Sequence, residues 1–203
     1  IAVWGSSDKG GSGAPTDNGY VNMGSTEKAF AAMKADGSIT AWGDSEYGGC
    51  NSGETPSAGA TCAPADGGYT TISSTVSAFA ALKGDGSVTA WGYSTSGGSG
   101  APTDGGYTTI VSAQRAFTAL KDDGSITAWG HSSYGGDNAP IDGGYTTIVS
   151  TQRAFAALKD EGSITSWGHS SYGGDNAPTD DGYTSIFSTE YAFAALKDDG
   201  SIA

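Results

Sequence analysis

The 203-residue chain carries 22 acidic against 9 basic side chains, a formal net charge of −13 that argues against nucleic acid or anionic lipid as a partner. Its 34 glycines stand well above ordinary usage but without a period of three, which excludes a collagen-like chain. No apolar run approaches the roughly 20 residues of a membrane-spanning helix, so no membrane insertion is expected, and the length suits one domain with a real core.

The chain opens on Ile1-Ala2-Val3-Trp4-Gly5 with neither a methionine nor a signal-peptide pattern, as expected of a processed or excised product. Trp-Gly then recurs at Trp42, Trp91, Trp129 and Trp167, in steps of 38, 49, 38 and 38 from Trp4. Phenylalanines recur with it, at Phe30, Phe79, Phe117, Phe155 and Phe193. Such self-similarity is the signature of a repeat architecture, here of five units at approximately 1–39, 40–88, 89–126, 127–164 and 165–203. The one long step holds Cys50 and Cys62 in an excess of 11 residues between Trp42 and Pro64. Two cysteines closing a short polar loop suggest a disulfide and an oxidising, extracellular-type compartment, with a pair of free thiols as the alternative.

The most regular unit sets the element pattern. Tyr145 to Ser150 is rich in Thr, Ile and Val and reads as a strand. Ala154 to Lys159 follows; its alanines would suit a helix, but the run is too short to hold as one before the breaker at Asp160-Glu161-Gly162-Ser163. Ile164 to Trp167 then returns as the second arm of a hairpin. The last residues, Asp199-Gly200-Ser201-Ile202-Ala203, and the first five together rebuild one such hairpin, with Ile-Ala represented twice. The expectation is an all-β, five-bladed β-propeller closed by pairing of the N- and C-terminal strands, which leaves no exposed edge. An open solenoid is the competing architecture.

Leu-Lys-Asp-Asp-Gly-Ser-Ile-Thr-Ala-Trp-Gly at 120–130 resembles the repeat of the regulator of chromosome condensation superfamily, and the likeness extends over all five units. The resemblance implies a propeller. Eukaryotic members act as guanine nucleotide exchange factors or chromatin binders, generally with seven blades. A secreted bacterial branch resembling β-lactamase inhibitor protein II grips another protein with a loop-rich face. The short units and the polar loop after each Trp-Gly are closer to the second branch. The chain departs from both in having five units, Gly-Gly after that loop, and no histidine before the Ala-Leu strand.

Catalytic, cofactor-binding and metal-binding residues are not expected. His131 and His169 hold equivalent repeat positions and need not meet, so they read as loop histidines. Asp122-Asp123-Gly124-Ser125 lacks the ligand alternation of a calcium loop and reads as a turn whose aspartate bonds its own backbone. No phosphate loop or nucleophile elbow is present. The periodic tryptophans read as packing residues rather than sugar platforms.

Function is expected where the repeats differ without packing need. One variable set precedes each Ala-Phe: Glu27, Lys28, Gln114, Arg115, Gln152, Arg153, Glu190 and Tyr191, with Val76 and Ser77 in the second unit. The other follows each Trp-Gly: Asp44, Glu46, Tyr47, Tyr93, His131, Tyr134, His169 and Tyr172. Tyrosines on glycine-flanked loops suit adaptable contacts, although drift among solvated turns is the bland alternative. The expected function is a non-enzymatic, extracellular structural or adhesive module contacting other protein chains or an assembly. The alternative is a dedicated binder, either an enzyme inhibitor or a lectin with a glycan ligand; nucleotide exchange is disfavoured by charge and disulfide. A binder should gather its variable aromatics on one face.

Overall fold

In the computed structural model, which describes residues 1–203, every strand pairing is antiparallel and links neighbours in sequence or nearly so. Contacts divide the chain into two units, 1–106 and 107–203. The first unit holds a three-stranded sheet, β1 (Tyr20–Ser25), β2 (Ala29–Lys34) and β3 (Ile39–Gly43). Its second sheet has β4 (Ala60–Thr61) on the edge, then β7 (Val88–Tyr93), β6 (Ala78–Lys83) and β5 (Tyr69–Ser74). The second unit holds two three-stranded sheets, β8 (Tyr107–Ser112) to β10 (Ile126–Gly130) around β9 (Ala116–Lys121), and β11 (Tyr145–Ser150) to β13 (Ile164–Gly168) around β12 (Ala154–Lys159). Its last sheet pairs β14 (Tyr183–Ser188) with β15 (Phe193–Lys197).

The alanine-rich segment is a strand because of what covers it. Ala78 to Leu82 is buried on both faces of the sheet, and Ala154 to Leu158 likewise. Alternating side chains of a middle strand face two different layers, so small residues on both sides let neighbouring sheets approach. In the first unit, Ala29, Ala31 and Ala41 of one sheet pack with Phe79, Ala81 and Trp91 of the next. In the second, Ala116 and Leu120 pack with Phe155, Ala157 and Trp167, and Ala156 and Leu158 with Tyr183 and Ile186. Packing overrides a modest helix propensity that a six-residue segment cannot exploit alone.

Tryptophan and phenylalanine sit opposite each other in the register, as Phe79↔Trp91 and Phe155↔Trp167 show. The paired rings stack with centroids 5.4, 5.1, 5.3 and 5.5 Å apart from the first to the fourth sheet. Trp42, Trp91, Trp129 and Trp167 are all buried, as expected. The indole N–H of Trp91 donates to the Gly48 carbonyl and that of Trp167 to Gly135, both at 3.1 Å. The loop after one Trp-Gly thus covers the next tryptophan. Gly135 is obligatory there: its φ is +83° and a Cβ would lie 2.7 Å from the Phe155 ring.

The turns follow the sequence reading. Asp36, Asp85, Asp123 and Asp199 each accept from the backbone N–H two residues on, at 2.9 Å. Cys50 and Cys62 are bonded, with Cα atoms 4.9 Å apart. The insertion they close is more than a protruding loop, because Ala60 and Thr61 within it extend the second sheet beyond β7.

Terminal closure differs from the expectation. Ile1 to Trp4 forms no strand, and Trp4 is 85% exposed. Ile202 bridges Leu196, and Ala195 and Ala203 exchange backbone hydrogen bonds at 2.8 and 3.0 Å. Ile202-Ala203 therefore already holds the register that its repeat copy, Ile1-Ala2, would need.

Candidate interaction face

Antiparallel pairing of the second and third repeat strands forces both variable loops to the same end of each sheet. Backbone bonds of 2.9 Å then tie them together: Asp44 N–H donates to Lys28, Tyr93 to Ser77, His131 to Arg115 and His169 to Arg153. Threonine hydroxyls add a second tie, from Thr26 to the Tyr47 carbonyl, Thr75 to Ser96 and Thr151 to Tyr172. Along neighbouring sheets the loops are also strung together. Glu27 N–H donates to Val76 in the first unit, while Gln114 N–H donates to Gln152 and Gln152 N–H to Glu190 in the second.

The residue after each Trp-Gly opens a single 3-10 turn. Asp44 caps it by accepting from Glu46 N–H at 3.0 Å, and His131 and His169 do so through Nδ1, from Ser133 and Ser171, at 3.2 Å. The histidines are thus half-buried caps whose rings meet Tyr134 and Tyr172 edge-on. Their common repeat position was legible; this local role was not. Tyr93 instead ends β7, where it pairs with Ala60 of the insertion.

Side chains of the second unit form a ladder. The Arg115 guanidinium lies 5.7 Å from the Tyr134 ring centroid, and Arg153 lies 4.8 Å from Tyr134 and 5.0 Å from Tyr172. Tyr172 continues to Tyr191 at 5.3 Å, and Gln152 Nε2 donates to Glu190 Oε1 at 2.7 Å. A hydrogen bond with the Glu190 carboxylate raises the Tyr191 phenol above its ordinary value. At its loop end the first unit has Lys28 over Tyr47, at 4.2 Å, with the Lys28 ammonium raised by its bond to that phenol. Arg153 Nε is buried without a hydrogen-bond partner. Sequence reasoning singled out these residues but not their stacking.

At the opposite end of the sheets, tyrosine, aspartate, lysine and threonine repeat as a cluster. Tyr69 donates to Asp66 and accepts from the Thr89 hydroxyl, both at 2.9 Å, and Lys83 donates to Asp66 at 2.5 Å; Tyr145, Asp142, Thr165 and Lys159 repeat the arrangement. The lysine bond holds the Asp66 and Asp142 carboxyls below their ordinary value, and burial raises the Tyr69 and Tyr145 phenols. These groups are occupied with one another. A cavity of about 360 Å³ borders Phe193, Gly173 and Tyr191, at the repeat position that Trp167 fills in the preceding sheet. No three His, Cys, Asp or Glu side chains are grouped to hold a metal ion.

No family model and no curated protein matches the chain. Solved structures do. The entire ectodomain of the receptor kinase CR4 from Physcomitrella patens superimposes with a TM-score of 0.62, at 20% identity over 92% of this chain and 52% of that one. Prp20p from Saccharomyces cerevisiae, characterised with its binding properties to Gsp1p and histones, gives 0.56 at 17% identity over 90% and 56%. The CRINKLY WD40 ectodomain of the Arabidopsis thaliana receptor kinase ACR4 gives 0.54 at 16% identity over 88% and 62%. The chain spans about half to three-fifths of each of these structures. The fold defines the class: these antiparallel sheets are of the β-propeller type shared by RCC1-like and WD40-type proteins.

Proposed function

We propose that the chain is a non-enzymatic protein-interaction module that grips its partner with the loop end of residues 107–203, in an extracellular or other oxidising compartment. The observation that carries this reading is the continuous ladder Arg115–Tyr134–Arg153–Tyr172–Tyr191, which gathers variable aromatic and cationic side chains on one face. Tyrosine and arginine supply contact area at low entropic cost and are the residues that dominate protein interfaces. The Cys50–Cys62 bridge fits the compartment, and the neighbouring receptor ectodomains are extracellular parts of their proteins. The short units and the polar loop after each Trp-Gly favour the loop-gripping bacterial branch in this reading, and membership of a larger extracellular assembly is compatible with the same face. In this reading the five sheets are blades of one propeller.

A photo-crosslinking residue at position 172 tests the assignment against the same residue at position 161, in the turn at the other end of the sheet. Extracellular material should give one discrete adduct from 172 that Tyr134→Ala abolishes. Equal labelling from both positions, or none from 172, would reject the face.

A further inference from the structure

Resting on that reading, we infer that the ladder receives an acidic segment of a partner protein, whose carboxylate sits on the N–H edge of Arg153. Lys34, Lys83, Lys159 and Lys197 each bind an aspartate of their own repeat, at 2.5 to 2.6 Å. The only two arginines in the sequence are Arg115 and Arg153, and neither forms a salt bridge. Both lie on this face, over tyrosine rings.

A guanidinium held over two rings keeps only its edge for hydrogen bonding, and that edge matches a carboxylate in two parallel bonds. Arg153 Nε is buried out of a partner's reach while the residue as a whole is half-buried, so the carboxylate meets the two terminal Nη groups end-on. Glu190, the acidic residue of the adjoining variable loop, has an oxygen engaged by Gln152 at 2.7 Å. Exposed Tyr191 extends the shelf and offers a ring to a residue flanking the carboxylate.

The chain's net charge of −13 does not forbid such a partner. Charges farther than a Debye length, about 8 Å at physiological salt, are largely screened, whereas the ladder acts at contact. Nor does packing require these residues. In the second sheet the positions of Arg153 and Tyr172 are held by Ser77 and Ser96, whose hydroxyls meet at 2.8 Å.

That serine pair supplies the test. The double variant Arg153→Ser/Tyr172→Ser copies a pair the fold already contains, and its circular dichroism and melting report whether it is folded. Immobilised random copolymers of glutamate with tyrosine and of lysine with tyrosine serve as probes. The native chain should bind the glutamate copolymer at least roughly tenfold more tightly than the lysine copolymer. Binding should weaken as salt rises and fall about tenfold in the double variant, with Arg153→Lys retaining only part of it. Preference for the lysine copolymer, or equal binding by the folded double variant, would overturn the inference. A crosslink from position 172 that survives Arg153→Ser would also overturn it while leaving the interaction face standing.

Discussion

Ser77 and Ser96 meet in a buried, hydrogen-bonded pair at the loop end of the second sheet, while Arg153 and Tyr172 hold the same repeat positions in the fourth. Around both pairs the frame is alike: a threonine hydroxyl bonds the carbonyl of residue 96 or 172, and a backbone N–H bonds residue 77 or 153. The small pair satisfies itself and is covered. The large pair is half-exposed and leaves a guanidinium nitrogen unsatisfied. One backbone therefore supports both a closed loop end and an open one, and the difference belongs to the surface rather than to the fold.

If the frame is common, removing it should be equally costly in either unit. Trp91→Ala and Trp167→Ala should each destabilise by about 3–5 kcal/mol, the range for large aromatic deletions from cores. Trp4→Ala, at an 85% exposed ring, should change little. Chemical denaturation of the three variants checks this; a negligible loss for Trp91→Ala would break the claim that the tryptophans are structural. The disulfide is peculiar to the first unit. Its 12-residue separation predicts a loss of about 2–3 kcal/mol in Cys50→Ser/Cys62→Ser, mainly through a less constrained unfolded chain. Hydrogen exchange should quicken first in β4 and β7, which the insertion joins.

The frame was legible because the five repeats state it in turn. Phe and Trp at fixed spacing, an acidic residue before Gly-Ser at the turn and, in the last four repeats, first strands rich in Thr and Ile all agree on a hairpin sheet. That both variable loops share one end also follows from antiparallel hairpins. The short strand Ala60–Thr61 was not legible, since it lies in the one segment without a repeat copy and has no alternation to read. The Arg–Tyr ladder escaped for another reason: Arg153 meets Tyr134 of the preceding sheet, and that contact depends on how sheets stack, which periodicity within one unit does not encode. Pairing of the terminal strands is not shown, and the sequence could not decide it because the repeated Ile-Ala offers one register to two segments.

The contrast between the loop ends predicts a smaller effect there. Arg153→Ser/Tyr172→Ser should cost no more than about 1–2 kcal/mol, since it removes two partly exposed cation–π contacts. A loss as large as that of Trp167→Ala in the same denaturation series would mean that the ladder holds the sheets together, and the two loop ends would then differ in fold rather than surface.

The smallest effect concerns the turn end, where the two units are alike. Asp142 titrates below its ordinary 3.8 because Lys159 donates to it, and Lys159 titrates above 10.5 through the same bond. A depressed carboxyl stabilises the fold above its unfolded pKa and loses that contribution as pH falls through its lower folded value. A raised ammonium stabilises below its unfolded pKa and loses its contribution as pH rises through the higher folded value. Stability from this pair is therefore flat between the two limits and declines outside both. Asp142 is exposed and the half-buried Lys159 reaches out to it, so screening keeps the contribution small and salt-sensitive. Asp142→Asn should lower the melting temperature slightly at neutral pH, and the difference from the native chain should vanish near pH 2, where both carry a neutral group. Asp66→Asn should behave the same way, because its lysine and tyrosine bonds are copies. A difference that persists undiminished at low pH would show that the asparagine disturbs the Tyr145 hydrogen bond rather than the ion pair, and the turn-end cluster would then be a tyrosine lock in which charge plays no part.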